Sequence, residues 1–423
     1  MQTHFTPERL AEPGMAEAES ILRTCVHCGF CTATCPTYVT LGNELDSPRG
    51  RIALVKDMFE QGRPADAQVA LHLDRCLGCL ACTTTCPSGV DYGHLLETAR
   101  AHVEATYKRP IADRMLRAAL ATILTRPTAF RLALVSARIA RRFAKLLPQA
   151  SPLAAMLRLS PASLPRPQTP TPSPDAQRKV MLLQGCAQSV LDPGINAAAI
   201  RLLARAGVQV ISVPQEGCCG ALPQHMGRIG QAKALARHNI TVWSAHLDAG
   251  AEAILTTTSG CGTSIKDWGH LFADDPMQTR AARVARQTFD ITEYLARLTF
   301  PAPQTLPPLK VAYHAACSLQ HGQKITAAPK ALLKAAGFTV VEPAESHLCC
   351  GSAGTYNLLQ PQIAGQLGQR KAANLIRTGA DVVAAGNIGC LTQIAVHAGL
   401  PVLHTVELLD WAYGGPRPAA LPE

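Results

Sequence analysis

Sixteen cysteines carry most of the chemistry open to this chain. Eight of them stand in two matching runs, Cys25-x2-Cys28-x2-Cys31-x3-Cys35-Pro36 and Cys76-x2-Cys79-x2-Cys82-x3-Cys86-Pro87. A cubane 4Fe–4S cluster needs four thiolates converging on its iron corners. Three cysteines spaced by two residues wrap one loop around three corners. The fourth, after a longer gap, points toward a neighbouring cluster. The spacing therefore assigns Cys25, Cys28, Cys31 and Cys86 to one cluster, and Cys76, Cys79, Cys82 and Cys35 to the other. Two structural zinc sites are the competing reading. Zinc favours paired CxxC units, whereas the four-cysteine run closed by proline is iron–sulfur chemistry. His27, inside the first loop, reads as solvent-facing, because four sulfurs already saturate each cluster.

The other eight cysteines form two sets: Cys186, Cys218, Cys219, Cys261, and Cys317, Cys349, Cys350, Cys390. The offset between copies is 131 residues at both Cys186/Cys317 and Cys218/Cys349. Each set includes an adjacent pair followed by glycine, Gly220 or Gly351, which permits a tight backbone turn. A further iron–sulfur cluster, a zinc ion, or empty redox-active thiols are the readings left open for these sets. A vicinal disulfide does not suit a reducing cell. His225, His314, His321 and His347 lie near these cysteines in sequence and read as ordinary polar residues rather than ligands.

These cysteines need elements to hold them. In the first copy the strand Val180 to Leu183 runs into Cys186, and in the second Val311 to Tyr313 runs into Cys317. A helix ending at glycine follows (Ala197 to Ala206; Ala331 to Ala336), then a β-rich stretch (Val208 to Val213; Phe338 to Val341). A second helix and strand lead to Cys261 or Cys390, and each copy closes on a similar tail (Ile291 to Leu295; Thr405 to Leu409). Strands alternating with helices predict α/β units, with cysteines on loops where such sheets bind ligands. Around the N-terminal runs, Ser47-Pro48 predicts a helix start, with Ile52, Val55 and Phe59 on one apolar face. Leu95, Ala99 and Val103 form another such face. The uncharged run Val382 to Val406 reads as a buried strand and loop rather than a membrane span.

The charge is uneven. The chain carries net +10, and the segment Lys108 to Arg158 holds eleven Lys/Arg against Asp113 alone. Its apolar residues, from Met115 to Phe143, fit helices interrupted at Pro127. A helical connector with a solvated basic face is the plainer reading; basic amphipathic helices also lie on anionic membranes. Six prolines between Pro161 and Pro174 predict an extended linker, and Pro301 to Pro308 a shorter break. The expected organisation is multidomain. Residues 1–107 form a mostly α-helical two-cluster ferredoxin-like domain, 108–178 the basic connector and linker, and 179–300 and 301–423 two repeated α/β units.

The 423 residues are 47% hydrophobic, enough for buried cores. Aromatics are only 4%, which argues against a base-stacking surface for nucleic acid. The polar start, Met1 to Pro13, lacks the apolar core of a secretory signal, so a reducing, cytoplasmic setting is expected. There is no GxGxxG after a strand, no Walker loop, no HExxH and no GxSxG. Cluster sites without a flavin, nucleotide or acid/base site fit an electron carrier. A zinc-stabilised basic module is the reading from another class.

The doubled CxxCxxCxxxCP followed by two CCG segments resembles the iron–sulfur subunits of flavin-linked dehydrogenases and heterodisulfide reductases. Four stretches are similar to the bacterial glycolate oxidase (glycolate dehydrogenase) iron–sulfur subunit: Arg23 to Tyr38, Gly42 to Arg51, Glu216 to Ala221 and His347 to Tyr356. The resemblance spans essentially the whole chain and is weakest from Lys108 to Arg178. It implies FAD-binding partner subunits that oxidise glycolate to glyoxylate, while this chain passes electrons on, with quinone as the expected acceptor. It also implies that the isolated chain does not oxidise glycolate, and that the protein is cytoplasmic or peripheral on the inner membrane face. Related glycerol-3-phosphate, lactate or heterodisulfide complexes are the alternative. One departure counts. Heterodisulfide reductase relatives add a further cysteine where this chain has Ser264 and Gln393, which puts a five-thiolate cluster in doubt for both copies.

Overall fold

The computed structural model describes residues 1–142, 147–148, 151–161, 163–165, 176–304 and 307–421. Phe143 and most of the proline-rich linker lie outside them.

The N-terminal domain is helical. Its helices Met15–Thr24 (α1), Pro48–Glu60 (α2) and Tyr92–Thr106 (α3) pack around Leu22, Met58, Phe59, Leu95 and Ala99. Ser47 starts α2 as expected: its Oγ accepts from the Gly50 amide at 3.0 Å, and Pro48 occupies the first turn. Ile52, Val55 and Phe59 then face inward, as do Leu95, Ala99 and Val103 on α3.

The connector follows as helices Ile111–Ile123 (α4), Pro127–Ala140 (α5) and Pro152–Leu159 (α6). Pro127 opens α5 rather than kinking a longer helix. Two of the basic residues are not free. Arg109 and Arg117 pair with Asp74 (2.6 and 2.8 Å) and with Asp113, tying the connector to the N-terminal domain.

Two four-stranded parallel sheets complete the fold. The first has strands β1 (Arg178–Leu182), β2 (Val208–Ile211), β3 (Ala253–Thr256) and β4 (Thr288–Asp290) in the order β2-β1-β3-β4. The second repeats it with β5 (Lys310–His314), β6 (Thr339–Val341), β7 (Val382–Ala385) and β8 (Val402–His404) in the order β6-β5-β7-β8. Register is equivalent: Val180 pairs with Ala253, and Val311 with Val382. β3 and β7 are buried along their whole length, as strands covered on both faces must be. One hydrophobic core runs through both sheets, from Val180 and Leu203 to Tyr313 and Leu409. Asp410, buried, takes Arg201 and Arg205 at 2.5 Å each across the copies.

The run Val382 to Val406 differs from a strand and loop. It is β7, a helix Ile388–Ala398, and β8. Because Ile388, Cys390, Leu391 and Ile394 are all buried, the helix shows no polar face to reveal its period. Among the described residues no single helix is long and apolar enough to cross a membrane. α4 and α5 reach that length and composition together but bend by 119°.

Candidate functional site: a chain of cysteine clusters

The two N-terminal loops have the same backbone. His27 and Gly29 are left-handed in the first, and Gly78 and Leu80 in the second. This turns the loop so that successive thiols face one centre. The first loop brings Cys25, Cys28 and Cys31 around a small pocket that Cys86 also lines. Cys35 leaves this loop for the second. Its thiol lies 3.9 Å from the Arg51 guanidinium, among Cys76, Cys79 and Cys82. Cys86 thus lies with the first loop's cysteines and Cys35 with the second's.

The surroundings fit an anionic iron–sulfur cluster. Burial works against ionising Cys76, yet Arg51 and then Arg100 hold its thiol below the ordinary value, aided by the Gly78 amide at 3.4 Å and the Tyr92 hydroxyl. Burial and neighbouring thiols push Cys79 and Cys82 well up. Such a crowd of sulfurs becomes thiolate only with cations among them, which iron provides. Arg51 is itself buried, donating to His72 O (2.7 Å), Thr37 Oγ1 (3.0 Å) and Asp46 Oδ1 (3.4 Å). Asp46 also takes His72 Nδ1 at 2.9 Å and Arg75 at 3.0 Å.

The loops differ in exposure. In the first, Cys28 is exposed and Val26 and Phe30 are 66% and 63% exposed. The second is turned inward. Leu77 is buried against Cys349 and Tyr356, and Cys79 packs with Cys317 in the same cluster. Tyr356 Oη donates to Arg75 O at 3.0 Å across this junction.

The cysteines of each α/β copy come together at the C-terminal ends of the strands, beside the point where strand order reverses. In the first copy the free thiol of Cys186 lies next to Cys218, and that of Cys219 next to Cys218 and Cys261. Thiol hydrogen bonds from Cys186 and Cys219 bring Cys218 down to about 4. In the second, Cys317 and Cys349 sulfurs are 3.8 Å apart, and the free thiols of Cys350 and Cys390 are neighbours. Gly220 and Gly351 are left-handed (φ 85° and 90°). A Cβ there would sit 2.9 Å and 2.6 Å from the carbonyls of Ala232 and Ala364, so only glycine lets the paired cysteines approach. Ser264 and Gln393 bond Gln224 and Ala364 O instead of joining the sulfurs.

One histidine read as an ordinary polar residue is placed among the cysteines. His314 is 1% exposed, neither ring nitrogen has a hydrogen-bond partner, and it lies with Cys350 and Cys390 so that their ligand atoms are all within 4.8 Å. The same position of the first copy is Leu183. The second copy thus offers four sulfurs and a nitrogen, the first four sulfurs. A buried imidazole with both nitrogens idle fits a metal ligand. The signal available was the difference between the copies, Leu against His, at a matched position. His225, His321 and His347 contribute no atom to such a group among the described residues.

Comparison with known proteins adds the family. Residues 21–90 match the 4Fe-4S dicluster domain, and residues 180–266 and 311–395 the cysteine-rich CCG domain. The chain is 42% identical over 413 residues to the glycolate oxidase iron-sulfur subunit of Escherichia coli, covering 97% of this chain and 99% of that one. It belongs to the glycolate oxidase iron–sulfur subunit family. A probable glycolate oxidase iron-sulfur subunit of Bacillus subtilis is 33% identical over 89% of each chain. Lactate utilization protein A of Exiguobacterium is 31% identical over 55% of this chain and 96% of its own. A hypothetical protein from Helicobacter pylori shares the fold, with TM-score 0.51, 10% identity and coverage of 98% and 80%. As a member of this family the chain is an iron–sulfur electron-transfer subunit of a multi-subunit oxidoreductase, with two 4Fe–4S clusters.

Proposed function

We propose that this chain drains electrons from a flavin-carrying partner that oxidises glycolate to glyoxylate, and delivers them to quinone at a membrane surface. Cys25, Cys28, Cys31 and Cys86 hold the receiving cluster. Cys76, Cys79, Cys82 and Cys35 hold the second. The observation that carries the reading is the opposite exposure of the two loops. The first, with Val26 and Phe30 exposed beside Cys28, offers an apolar docking patch for the partner. The second is buried against Cys317 and Cys349 of the second CCG copy. Cubane clusters carry one electron at a time, so a neighbouring pair suits a two-electron flavin donor. The chain's own residues exclude water from the second loop, place Arg51 and Arg100 beside its sulfurs, and hold that loop against the second CCG cysteines. We assign His314, Cys317, Cys349, Cys350 and Cys390 to a further metal site. Lys371 is buried beside its sulfurs and donates to Glu345 O at 2.7 Å, adding positive charge.

The outer residues of the connector support membrane attachment. Ile111, Met115, Leu132 and Ile139 are exposed, with Arg114, Arg126, Arg138, Arg141 and Arg142 exposed on the same helices or at their ends. The test is anaerobic purification with and without the flavin partner. The isolated chain is expected to be brown, with stoichiometric iron and sulfide, and inactive on glycolate. The complex is expected to reduce quinone. An iron-free chain, or glycolate oxidation without the partner, refutes it.

A further inference from the structure

Behind the connector lies a cavity of about 630 Å³. Its roof is formed by apolar residues of α4, α5 and α6, among them Leu120, Ile123, Phe130, Leu134, Ala137 and Leu157. Its floor is formed by cysteines of both CCG copies, including Cys186, Cys261, Cys317 and Cys390, and Leu77 and Gly78 of the buried ferredoxin-type loop also reach it. Beside the cysteines this space is where their own metal groups would sit; under the connector it is walled by apolar side chains with no cysteine among them, and that part is the space open to a further ligand. The helices that form the roof carry, on their outer side, the apolar residues and arginines that suit an anionic bilayer.

We propose that this cavity is the binding site of an isoprenoid quinone, which enters from the bilayer between α4, α5 and α6 and brings its ring to Cys317 and Gly78. The inference rests on the quinone reading above and gives that acceptor its site. The lining selects the class: a lipophilic carrier with two carbonyls needs apolar walls and few polar partners. His225 supplies such a partner. Its imidazole lines the cavity and has no hydrogen-bond partner among the described residues. The ring is open to this space rather than buried, and the nearby Arg100 guanidinium disfavours its protonation, so a ring N–H can donate to a quinone carbonyl. Reduction there takes two electrons, arriving singly through the iron–sulfur protein, and two protons from water. Both carbonyls become hydroxyls, and the quinol leaves by the same lipophilic route.

The experiment uses the purified complex in nanodiscs. A photoreactive azido-quinone is bound, illuminated, and mapped by mass spectrometry. Labelling is expected on 111–123, 127–140 and 152–159, and displaceable by unlabelled quinone. Separately, protein reduced with dithionite and freed of excess is mixed with decyl-quinone or with ferricyanide. Ala137→Trp, which fills the cavity, is expected to lower the ratio of quinone-driven to ferricyanide-driven reoxidation by about ten-fold or more, and Ala137→Leu by less. Label confined to other segments, a phospholipid in the cavity that quinone does not displace, or an unchanged ratio in both variants overturns the proposal. Should Ala137→Trp fail to fold, Ala137→Leu and labelling of the native protein decide. Because dithionite replaces glycolate, a normal quinone ratio with no glycolate-driven reduction would sink the proposed function and leave the cavity assignment standing.

Discussion

At the scale of single residues, the buried charge around the second loop makes the sharpest demand. Asp46 is wholly buried and faces Arg51, Arg75 and His72, while Arg51 is equally buried. Removing one member of such a group leaves the other uncompensated, a cost of about 3–5 kcal/mol. Asp46→Asn is therefore expected to lower the temperature at which anaerobic protein loses its cluster absorbance. Glu44→Gln, at a half-exposed pair with Arg49, is expected to leave that temperature unchanged. Equal effects would show that Asp46 is not the counter-charge. Cys79→Ser and Cys28→Ser address the assigned ligands. Anaerobic stopped-flow spectra of either mutant complex are expected to show flavin reduction by glycolate with no onward transfer, and normal turnover would contradict the assignment. The grouping of these cysteines was legible from spacing because three of every four lie in one short loop. Arg51, Asp46 and His314 were not, because their partners lie far along the chain: His72 follows Asp46 by 26 residues, and Cys390 follows His314 by 76. A lone buried histidine reads the same whether it binds a metal or fills a core.

At the scale of elements, the α/β repeat was readable because the strands leading to the cysteines recur in the same order in the second copy, with Cys186 and Cys218 matched 131 residues on by Cys317 and Cys349, so weak local signals reinforced one another. The helix Ile388–Ala398 has a counterpart in Ser259–Lys266, but its period was masked because its exposed side carries the apolar Val396 and its buried side the polar Gln393. How α3 meets the first CCG copy was also invisible in the sequence. His94 on α3 bonds Asp267 at 3.0 Å and Asp91 at 2.7 Å. It stacks on His270, whose own ring pairs with Glu17, and Glu97 lies close by. Burial alone would lower the His94 pKa, but Asp267 and Asp91 outweigh it and raise it from 6.5 to about 10. A raised pKa means the contact stabilises fully below about pH 6.5 and is lost as pH rises through about 10. Hydrogen exchange, corrected for intrinsic rate, is expected to show residues 92–106 and 259–271 loosening between those limits. His94→Gln is expected to be loose throughout, with that pH dependence flattened. A native-like slope in the variant would place the transition elsewhere.

At the scale of the molecule, the two CCG copies share one core and the helical domain rests on both, so the cysteine sites keep fixed relations while the connector's outer side is uncovered among the described residues. That side sets the last prediction. Each Lys or Arg near an anionic membrane contributes about 1 kcal/mol. Replacing Arg126, Arg138, Arg141 and Arg142 by Gln is thus expected to weaken co-sedimentation with phosphatidylserine vesicles by about a hundred-fold or more at low salt. Arg109 and Arg117 are left out because Asp74 and Asp113 already neutralise them. The difference between native and variant is expected to shrink as salt shortens the screening length from about 30 Å at 0.01 M to about 8 Å at 0.15 M. Leu132→Ser with Ile139→Ser acts on the other half of the interaction. Both residues are well exposed, at 70% and 66%, so folding does not depend on them, and burial in lipid does. Their loss is expected to weaken binding by a factor that salt does not change. Two independent losses, one screened and one not, would show a helical pair lying in the membrane surface. A charge variant that binds as the native chain does at low salt would reduce the basic segment to a solvated connector and leave the cavity's quinone to arrive by another route.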